Sequence, residues 1–336
     1  MKRSTYKQIL LSLLTLFLAV ASGTLFGRLE MIRKSSSEYE REPGVESSIA
    51  VTVASSISQP SQEPEVRFAK YTVTSLMANL YQISRESGEA RKISEIPIGT
   101  VLQVFDEYKE YYICAFGNQD GDFCIEKQLV EEGVFYVNPE NGIDLRFVLP
   151  DAEYELLFAS ENNITGHSMY PPIPMLERKT GEMLRAAADQ FAEDGYKIII
   201  YDSYRPKSAQ YELYAIVQDP RFIADPYINN SFHQLGRAVD ISLIDAGTGT
   251  ELRMPTEMHT FSEQASRYSR DFWTEEERQN VDYMTSVMER CGFRAIETEW
   301  WHFENSESGD YMDPYLDYGS LPLISRENCC EKYPQF

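Results

Sequence analysis

The sequence predicts an α+β protein, because short β-type segments and three amphipathic helices follow one another without regular alternation. A doubly wound parallel sheet would require that alternation, so the second half favours an α+β layer instead. Composition and the run of β-type segments divide the chain further. The predicted regions are a signal peptide or membrane anchor (1–30), a disordered linker (31–68), a small all-β barrel (69–133) and a mixed domain (134–336).

Charge and composition restrict the partners of the protein. The 336 residues include 53 acidic and 31 basic side chains, which gives a net charge of −22. Nucleic acid is not an expected partner, since phosphate binding needs clustered Lys and Arg. A hydrophobic content of 43% is ordinary for a chain that buries a core.

The N-terminus has the pattern of an export signal. A basic start, "MKRSTYK", precedes the uncharged run Ile9–Phe26 of 18 residues, close to the ~20 residues that span a bilayer. The small residues Ala19 to Ala21 would also suit signal cleavage. Cleaved signal and uncleaved anchor both remain open, and both place the rest of the chain outside the cytoplasm, in the cell envelope.

Residues 31–68 are rich in Ser, Glu, Pro and Gln and poor in aromatic residues. Such a segment cannot bury enough apolar surface to offset its conformational entropy. We expect a flexible tether between the export signal and the remaining chain.

Residues 69–133 predict a small β-barrel. The runs "YTVTSLMANLYQI", "IGTVLQVFDEY", "EYYICAFG" and "GDFCIEKQLV" are rich in β-branched and aromatic residues and are separated by turn residues. Cys114 and Cys124 flank a probable hairpin turn within this region. The sequence leaves two alternatives for this pair, a disulfide bond or two free buried thiols.

Three helices are predicted after residue 133. The first, "KTGEMLRAAADQFAEDG", ends at Gly195 and has one apolar face, formed by Met183, Leu184, Ala187, Ala188 and Phe191. The second is "KSAQYELYAIVQ". The third begins with a capping box of Thr274 and Glu277 and ends at Gly292.

Two stretches contain polar side chains in apolar surroundings, "NNSFHQLGRAVDISLID" and "ETEWWHFEN". His233, Asp240 and His302 would supply two imidazoles and one carboxylate, the ligand set of a hydrolytic zinc site with an open position for water. Glu299 would be free to act as general base on that water. The prediction is one Zn²⁺ per chain.

The spacing of these residues requires local bends. Residues separated by three or by seven positions point to opposite faces of an ideal strand. Neither His233 with Asp240 nor Glu299 with His302 can therefore converge on a regular strand. Gly236 is the expected site of the first bend.

The two stretches carry a resemblance to a known family. "SFHQLGRAVD" and "EWWHF" fit the patterns Ser-x-His-x-x-Gly-x-Ala-x-Asp and Glu-x-x-His of the zinc D-Ala-D-Ala peptidases of the Hedgehog/DD-peptidase fold, an antiparallel sheet with helices. "EWWH" resembles the D-Ala-D-Ala dipeptidases of glycopeptide resistance. The resemblance covers about residues 144–318. The β-rich region resembles the bacterial SH3-like modules of cell-wall enzymes, which implies either binding to wall polymer or a spacer role.

The resemblance implies further roles. Zinc would be held by the two histidines and the aspartate, with Glu299 as base. Arg205 would stabilise the oxyanion of the reaction, although the simpler interpretation of this residue alone is a surface ion pair. Ser231 would help to hold the substrate carboxylate and Tyr154 its ammonium. The alternatives are a loop hydrogen bond for Ser231 and core packing for Tyr154.

The sequence departs from the dipeptidases in two respects. First, His259 falls where they carry an acidic residue, and its alternative interpretation is a mere surface residue. Second, the protein is expected to be exported, whereas the dipeptidases work in the cytoplasm. The leading expectation is a dipeptidase-like zinc D-Ala-D-Ala peptidase of bacterial cell-wall metabolism, which acts on the dipeptide or on the terminus of a peptidoglycan stem peptide. An exported DD-carboxypeptidase, a murein endopeptidase and a non-catalytic wall-binding protein are the alternatives.

Overall fold

The computed structural model describes residues 69–84, 87, 89–116, 122–307 and 309–336. The predicted export signal and linker lie outside these ranges. The described residues all belong to one unit, 50–336. Within them, no helix combines the length and the apolar character that a membrane span requires.

The first described region is a seven-stranded antiparallel sheet that follows the predicted β-type runs. Its strands are β1 (Ala69–Val73), β2 (Met77–Ile83), β3 (Ala90–Pro97), β4 (Val101–Tyr108), β5 (Tyr111–Ala115), β6 (Asp122–Glu126) and β7 (Val130–Glu132). The strand order is β3-β2-β6-β5-β4-β1-β7. Leu80, Leu102 and Ile125 are completely buried in its apolar core. Barrel closure, the SH3-like assignment and the domain boundaries stay predictions.

Cys114 and Cys124 lie on the neighbouring strands β5 and β6. Cys124 is opposite Ile113, and Cys114 is opposite Phe123, so the two cysteines are diagonal neighbours. Both are free and buried. Burial raises the pKa of each thiol to about 12, which keeps both protonated and unreactive. Of the two alternatives, the structure has free thiols.

The second region is a mixed α+β layer, as predicted. Its main sheet contains β10 (Glu153–Tyr154), β12 (Tyr196–Asp202), β13 (Ala238–Asp245), β14 (Thr250–Glu251), β15 (Arg294–Ala295) and β16 (His302–Glu304). The order is β10-β12-β13-β16-β15, with β14 paired to β13. Only β10 and β12 run parallel among these described strands. Two small antiparallel pairs join β8 (Phe135–Val137) to β17 (Leu323–Ser325) and β9 (Gly142–Asp144) to β11 (Met175–Glu177).

Among the described residues, five α-helices accompany these strands. They are α1 (Leu145–Val148), α2 (Arg178–Glu193), α3 (Lys207–Val217), α4 (Glu275–Arg290) and α5 (Arg326–Lys332). Helix α2 buries Leu184 and Phe191 completely and is followed by Gly195 at φ +87°, as its periodicity predicts. The predicted capping box of α4 is present, since the Thr274 and Glu277 side chains each accept from the other's backbone N–H.

A polar joint links the two regions. The Thr72 hydroxyl on β1 donates to the Gly133 carbonyl at 2.7 Å and accepts from the Phe135 N–H at 3.0 Å. Arg146 on α1 donates to the carbonyl of Ile98 at 3.3 Å. Gly99 has φ +81°, a backbone conformation that favours glycine, and a Cβ added there would lie 2.5 Å from Arg146 Nη2, so a larger residue would displace this guanidinium.

Candidate metal centre

Sheet register brings together two of the predicted ligands. Strands β13 and β16 pair antiparallel with Asp240 directly opposite His302. Opposite residues of an antiparallel pair project on the same face and come close. Asp240 Oδ1 is accordingly 3.0 Å from His302 Nδ1, although 62 positions separate the residues in the sequence.

A tight turn brings in the third predicted ligand. His233 begins the 3₁₀ helix His233–Leu235, and Gly236 closes that turn at φ +67°. A Cβ at Gly236 would approach Met312 Sδ to 2.6 Å and Glu177 N to 2.8 Å, so only glycine fits. The bend expected at Gly236 is therefore present. It places His233 Nε2 3.3 Å from Asp240 Oδ1.

The three ligand atoms fit a single cation. One atom each from His233, Asp240 and His302 lies within 4.8 Å of the other two, and all three residues are buried. The Ser203 carbonyl accepts from His233 Nδ1–H at 2.8 Å, so Nε2 is the ring nitrogen that can bind a cation. Glu304 Oε2 stands 3.8 Å from His302 Nε2, the nitrogen that faces away from the cluster. This donor set and these outer partners suit zinc.

The charges of the cluster are strongly coupled. Burial opposes ionisation of Asp240, but the neighbouring imidazoles hold its pKa well below the usual range, His233 above all. Burial disfavours the charged form of His302, yet Asp240 and Glu304 raise its pKa to about 10. A divalent cation at this position would replace the proton on His302.

Glu299 lies beside the cluster but outside the ligand set. Residues 297–301 form a bend before β16, which turns Glu299 towards His302, with Oε2 3.8 Å from Nδ1. Burial, and to a lesser degree Asp240, raises the pKa of Glu299 to about 8, against the opposing effect of His302 and Arg205. A buried carboxylate with a pKa near neutrality is suited to exchanging a proton with bound water.

Arg205 approaches the same space from the loop between β12 and α3. Its Nε pairs with Asp202 Oδ2 at 3.1 Å, and its guanidinium lies 5.0 Å from the centre of the Phe158 ring. Nη1 of Arg205 has no hydrogen-bond partner among the described residues. The residue is only 5% exposed, so a surface ion pair does not describe it. It leaves a fixed donor available for an oxygen of a ligand.

A cavity of about 600 Å³ opens over the cluster. Its wall includes the three ligand residues, Glu299, Arg205, Ser231, Gln210, Asn229, Asn230, Glu304 and a set of apolar side chains. Ser231 thus reaches the cavity, and its Oγ also accepts from the Gln234 N–H at 3.4 Å. Six of the seven predicted site residues therefore line this cavity.

Tyr154 is the exception among the predicted site residues. Its hydroxyl donates to the carbonyls of Leu145 and Leu149, each at 2.8 Å. Tyr154 does not belong to the wall of the cavity. Its location fits the alternative reading, packing against α1, and not contact with an ammonium group.

His259 is not a surface residue. Its side chain is 8% exposed, and its Nε2 donates to Asp240 Oδ2 at 2.9 Å. The imidazole stacks on Phe158, with ring centres 4.4 Å apart and planes inclined by 7°. His259 therefore holds the oxygen of Asp240 that is turned away from His302.

Sequence reasoning missed the residues that hold the site residues in place. Asp202 accepts from the Tyr170 hydroxyl at 2.9 Å, faces Arg205 and has Oδ2 3.5 Å from His233 Nδ1. Ser203 and Glu304 complete the set through their contacts with the imidazoles. The pattern "YDSYRP" and the position of Glu304 two residues after His302 were the available signals.

Two imidazoles, a carboxylate and a neighbouring buried glutamate around one cavity are the features of a metal-dependent hydrolase. The family comparison agrees with this class. The profile described as D-Ala-D-Ala dipeptidase matches residues 139–320, more than half of the chain. The protein belongs to this peptidase family, which confirms the resemblance drawn from the two sequence patterns.

Individual relatives match about half of the chain. A D-alanyl-D-alanine dipeptidase of Escherichia coli is 31% identical over 170 residues, which are 50% of this chain and 86% of the relative. A D-alanyl-D-alanine dipeptidase of Enterococcus faecalis is 26% identical over 200 residues, 53% of this chain and 98% of the relative. Among solved structures, a vancomycin-resistance D,D-pentapeptidase in complex with Zn(II) shares 19% identity at a TM-score of 0.26, covering 50% of this chain and 85% of that one.

Proposed function

We propose that the protein is a zinc-dependent D-alanyl-D-alanine peptidase of bacterial cell-wall metabolism. The observation that carries this proposal is the convergence of His233, Asp240 and His302 within 4.8 Å at the floor of a cavity. The family membership and the dipeptidase relatives supply the substrate, a terminus of two D-alanines. Zinc follows from the ligand set of two imidazoles and one carboxylate.

The roles of the chain's own residues follow from their positions. Zinc, held by the three ligands, would supply Lewis acidity and lower the pKa of water in its open position. Glu299, 3.8 Å from His302, takes the proton from the attacking water and returns it to the leaving amine. Arg205 donates to the carbonyl oxygen of the scissile bond as negative charge develops there. Asp202 holds Arg205 in that orientation.

The remaining parts of the chain fit a wall enzyme. The apolar run Ile9–Phe26 after a basic start would export the protein and, if uncleaved, anchor it in the membrane. The linker of residues 31–68 would give the enzyme reach. The sheet of residues 69–132 would serve as an SH3-like module that contacts wall polymer or acts as a spacer.

The test uses the purified full-length protein. Release of D-alanine is measured from D-Ala-D-Ala and from N-acetyl-D-Ala-D-Ala, before and after removal of metal by a chelator, and again after addition of zinc. We expect release from at least one substrate, loss on chelation and recovery with zinc. Release from neither substrate by the zinc-loaded protein would refute the proposal, and release that persists in the metal-free protein would refute the zinc mechanism.

A further inference from the structure

His259 forms a fixed part of the cavity wall next to the ligand cluster. Its Nε2–H donates to Asp240 Oδ2 at 2.9 Å, and its ring lies flat on Phe158. Trp301 packs edge-on against the same ring, with centres 5.8 Å apart. The imidazole is thereby held in one orientation. The wall at this point offers an incoming ligand a neutral or cationic group and no negative charge.

The carboxylates of the cavity already have other roles. Among the described residues that line it, three are acidic: Asp240, Glu299 and Glu304. Asp240 is bound by the imidazoles, and Glu304 pairs with Arg294 and faces His302. Glu299 is the proposed base. None of the three is left to bind a cation of the substrate.

The other polar groups of the wall are neutral or positive. Gln210, Asn229, Asn230 and Ser231 supply amides and a hydroxyl, and Arg205 and Arg221 supply positive charge. An ammonium group that leaves water for this cavity finds no free anion to compensate its desolvation. An amide N–H carries no charge, so neutral acceptors satisfy it.

We infer that the site takes a D-Ala-D-Ala terminus whose amino side is acylated, that is, the end of a longer peptide, and that His259 is the residue that sets this specificity. The inference rests on the proposed function and names its substrate class. The volume agrees, since about 600 Å³ lies within the ~300–1,000 Å³ typical of sites for ligands larger than two alanines.

A pair of matched variants isolates the charge at this position. His259 has φ +55°, a region that Asn and Asp tolerate better than other non-glycine residues, so His259→Asn and His259→Asp should both keep the backbone. Asn is neutral, and both substitutions remove the His259 Nε2–H donor to Asp240 in the same way. Asp is nearly isosteric with Asn but places a carboxylate in the wall. The comparison of the two variants therefore changes one charge at nearly constant shape.

The measurement is kcat/KM for D-alanine release from N-acetyl-D-Ala-D-Ala and from free D-Ala-D-Ala, per bound zinc. We expect the wild type and His259→Asn to prefer the acetylated substrate by at least about tenfold, and His259→Asp to shift the ratio towards the free dipeptide by at least about tenfold. Calorimetric binding of both ligands to zinc-loaded Glu299→Gln should show the same preference for the acetylated ligand.

The outcomes separate the two proposals. Preference of the wild type for the free dipeptide would overturn this inference and leave the proposed function intact. An equal shift in His259→Asn and His259→Asp would overturn the role of His259. Release from neither substrate would instead overturn the proposed function itself.

A second variant covers the case in which His259→Asp loses zinc. Asn229 is exposed at the cavity wall, so Asn229→Asp adds a carboxylate without touching the ligand cluster. We expect it to shift the ratio in the same direction, whereas Asn162→Asp, exposed and outside this cavity, should leave the ratio unchanged. Identical ratios for the wild type, Asn229→Asp and the control would count against the inference.

Discussion

The two described regions of the molecule place polar groups very differently. In the described residues of the 69–132 sheet, Thr72 is the one polar side chain that is fully buried. The following region buries Asp202, Arg205 and the whole ligand cluster. The first region is therefore stabilised mainly by apolar burial. The second accepts the desolvation of ionisable groups, which is favourable only where those groups pair with one another or with a ligand.

The largest effect on kcat is expected in the second region, from Glu299→Gln. This change removes the base but none of the three ligand atoms, so kcat should fall by about 10²–10⁴-fold. Zinc content, measured by mass spectrometry, should stay at one per chain. Glu257→Gln, which neutralises an exposed carboxylate outside this cavity, is the control and should keep wild-type kcat. Turnover retained by Glu299→Gln would remove Glu299 as the base.

The next effect is expected at Arg205. Lysine keeps the charge but loses the planar fork that pairs with Asp202 and reaches the cavity. Arg205→Lys should lower kcat by about 10²–10³-fold, the usual cost of losing one oxyanion donor. Arg290→Lys, on the exposed side of α4, is the matched control and should leave kcat unchanged. A kcat within a factor of about two of wild type in Arg205→Lys would exclude an oxyanion role.

The β-rich region should respond in stability and not in chemistry. Leu80 is completely buried in the core of the first sheet, so Leu80→Ala should lower the free energy of unfolding by about 2–5 kcal/mol. Leu184→Ala, in the core under α2, should cost a similar amount. Denaturant titration measures both. The kcat of folded, zinc-loaded Leu80→Ala should equal that of the wild type, and a lowered kcat would show that the two regions are coupled in catalysis.

The smallest effect is expected at the start of α4. Thr274→Ala removes the hydroxyl that accepts from the Glu277 N–H at 3.3 Å. The free energy of unfolding should fall by about 0.5–2 kcal/mol, and zinc affinity should not change. Ser286→Ala, which removes an exposed hydroxyl within the same helix, should cost less. Equal losses in the two variants would mean that the capping box contributes no stability of its own.

Local rules were sufficient for much of the fold. The apolar period of α2, the capping box of α4 and the turn at Gly236 depend on neighbours within a few residues, and these are visible in a single sequence. The pairing of the chain's last strand β17 with β8 joins Leu323–Ser325 to Phe135–Val137. No local signal reports a contact of that sequence separation.

The candidate site divides in the same way. The residue types and spacing of "SFHQLGRAVD" and "EWWHF" were enough to name the three ligand candidates and Glu299. The contacts of His259 and Ser203 with the cluster depend on how β12, β13 and the 250–262 segment pack, so they appeared only in three dimensions. Tyr154 lies outside the cavity wall for a related reason, because its hydroxyl donates to the backbone carbonyls of Leu145 and Leu149.

The joint around Thr72 limits how the two regions can be exchanged in evolution. Thr72, the one fully buried polar side chain among the described residues of the first region, is satisfied by backbone groups of residues 133 and 135, and the φ of +81° at position 99, beside Arg146, favours glycine. A different β module grafted before residue 134 would need equivalents of Thr72 and Gly99 to avoid an unpaired polar group and a clash. The two regions should therefore be inherited together. Recombination between related genes should have its breakpoint before residue 69 and not near residue 133.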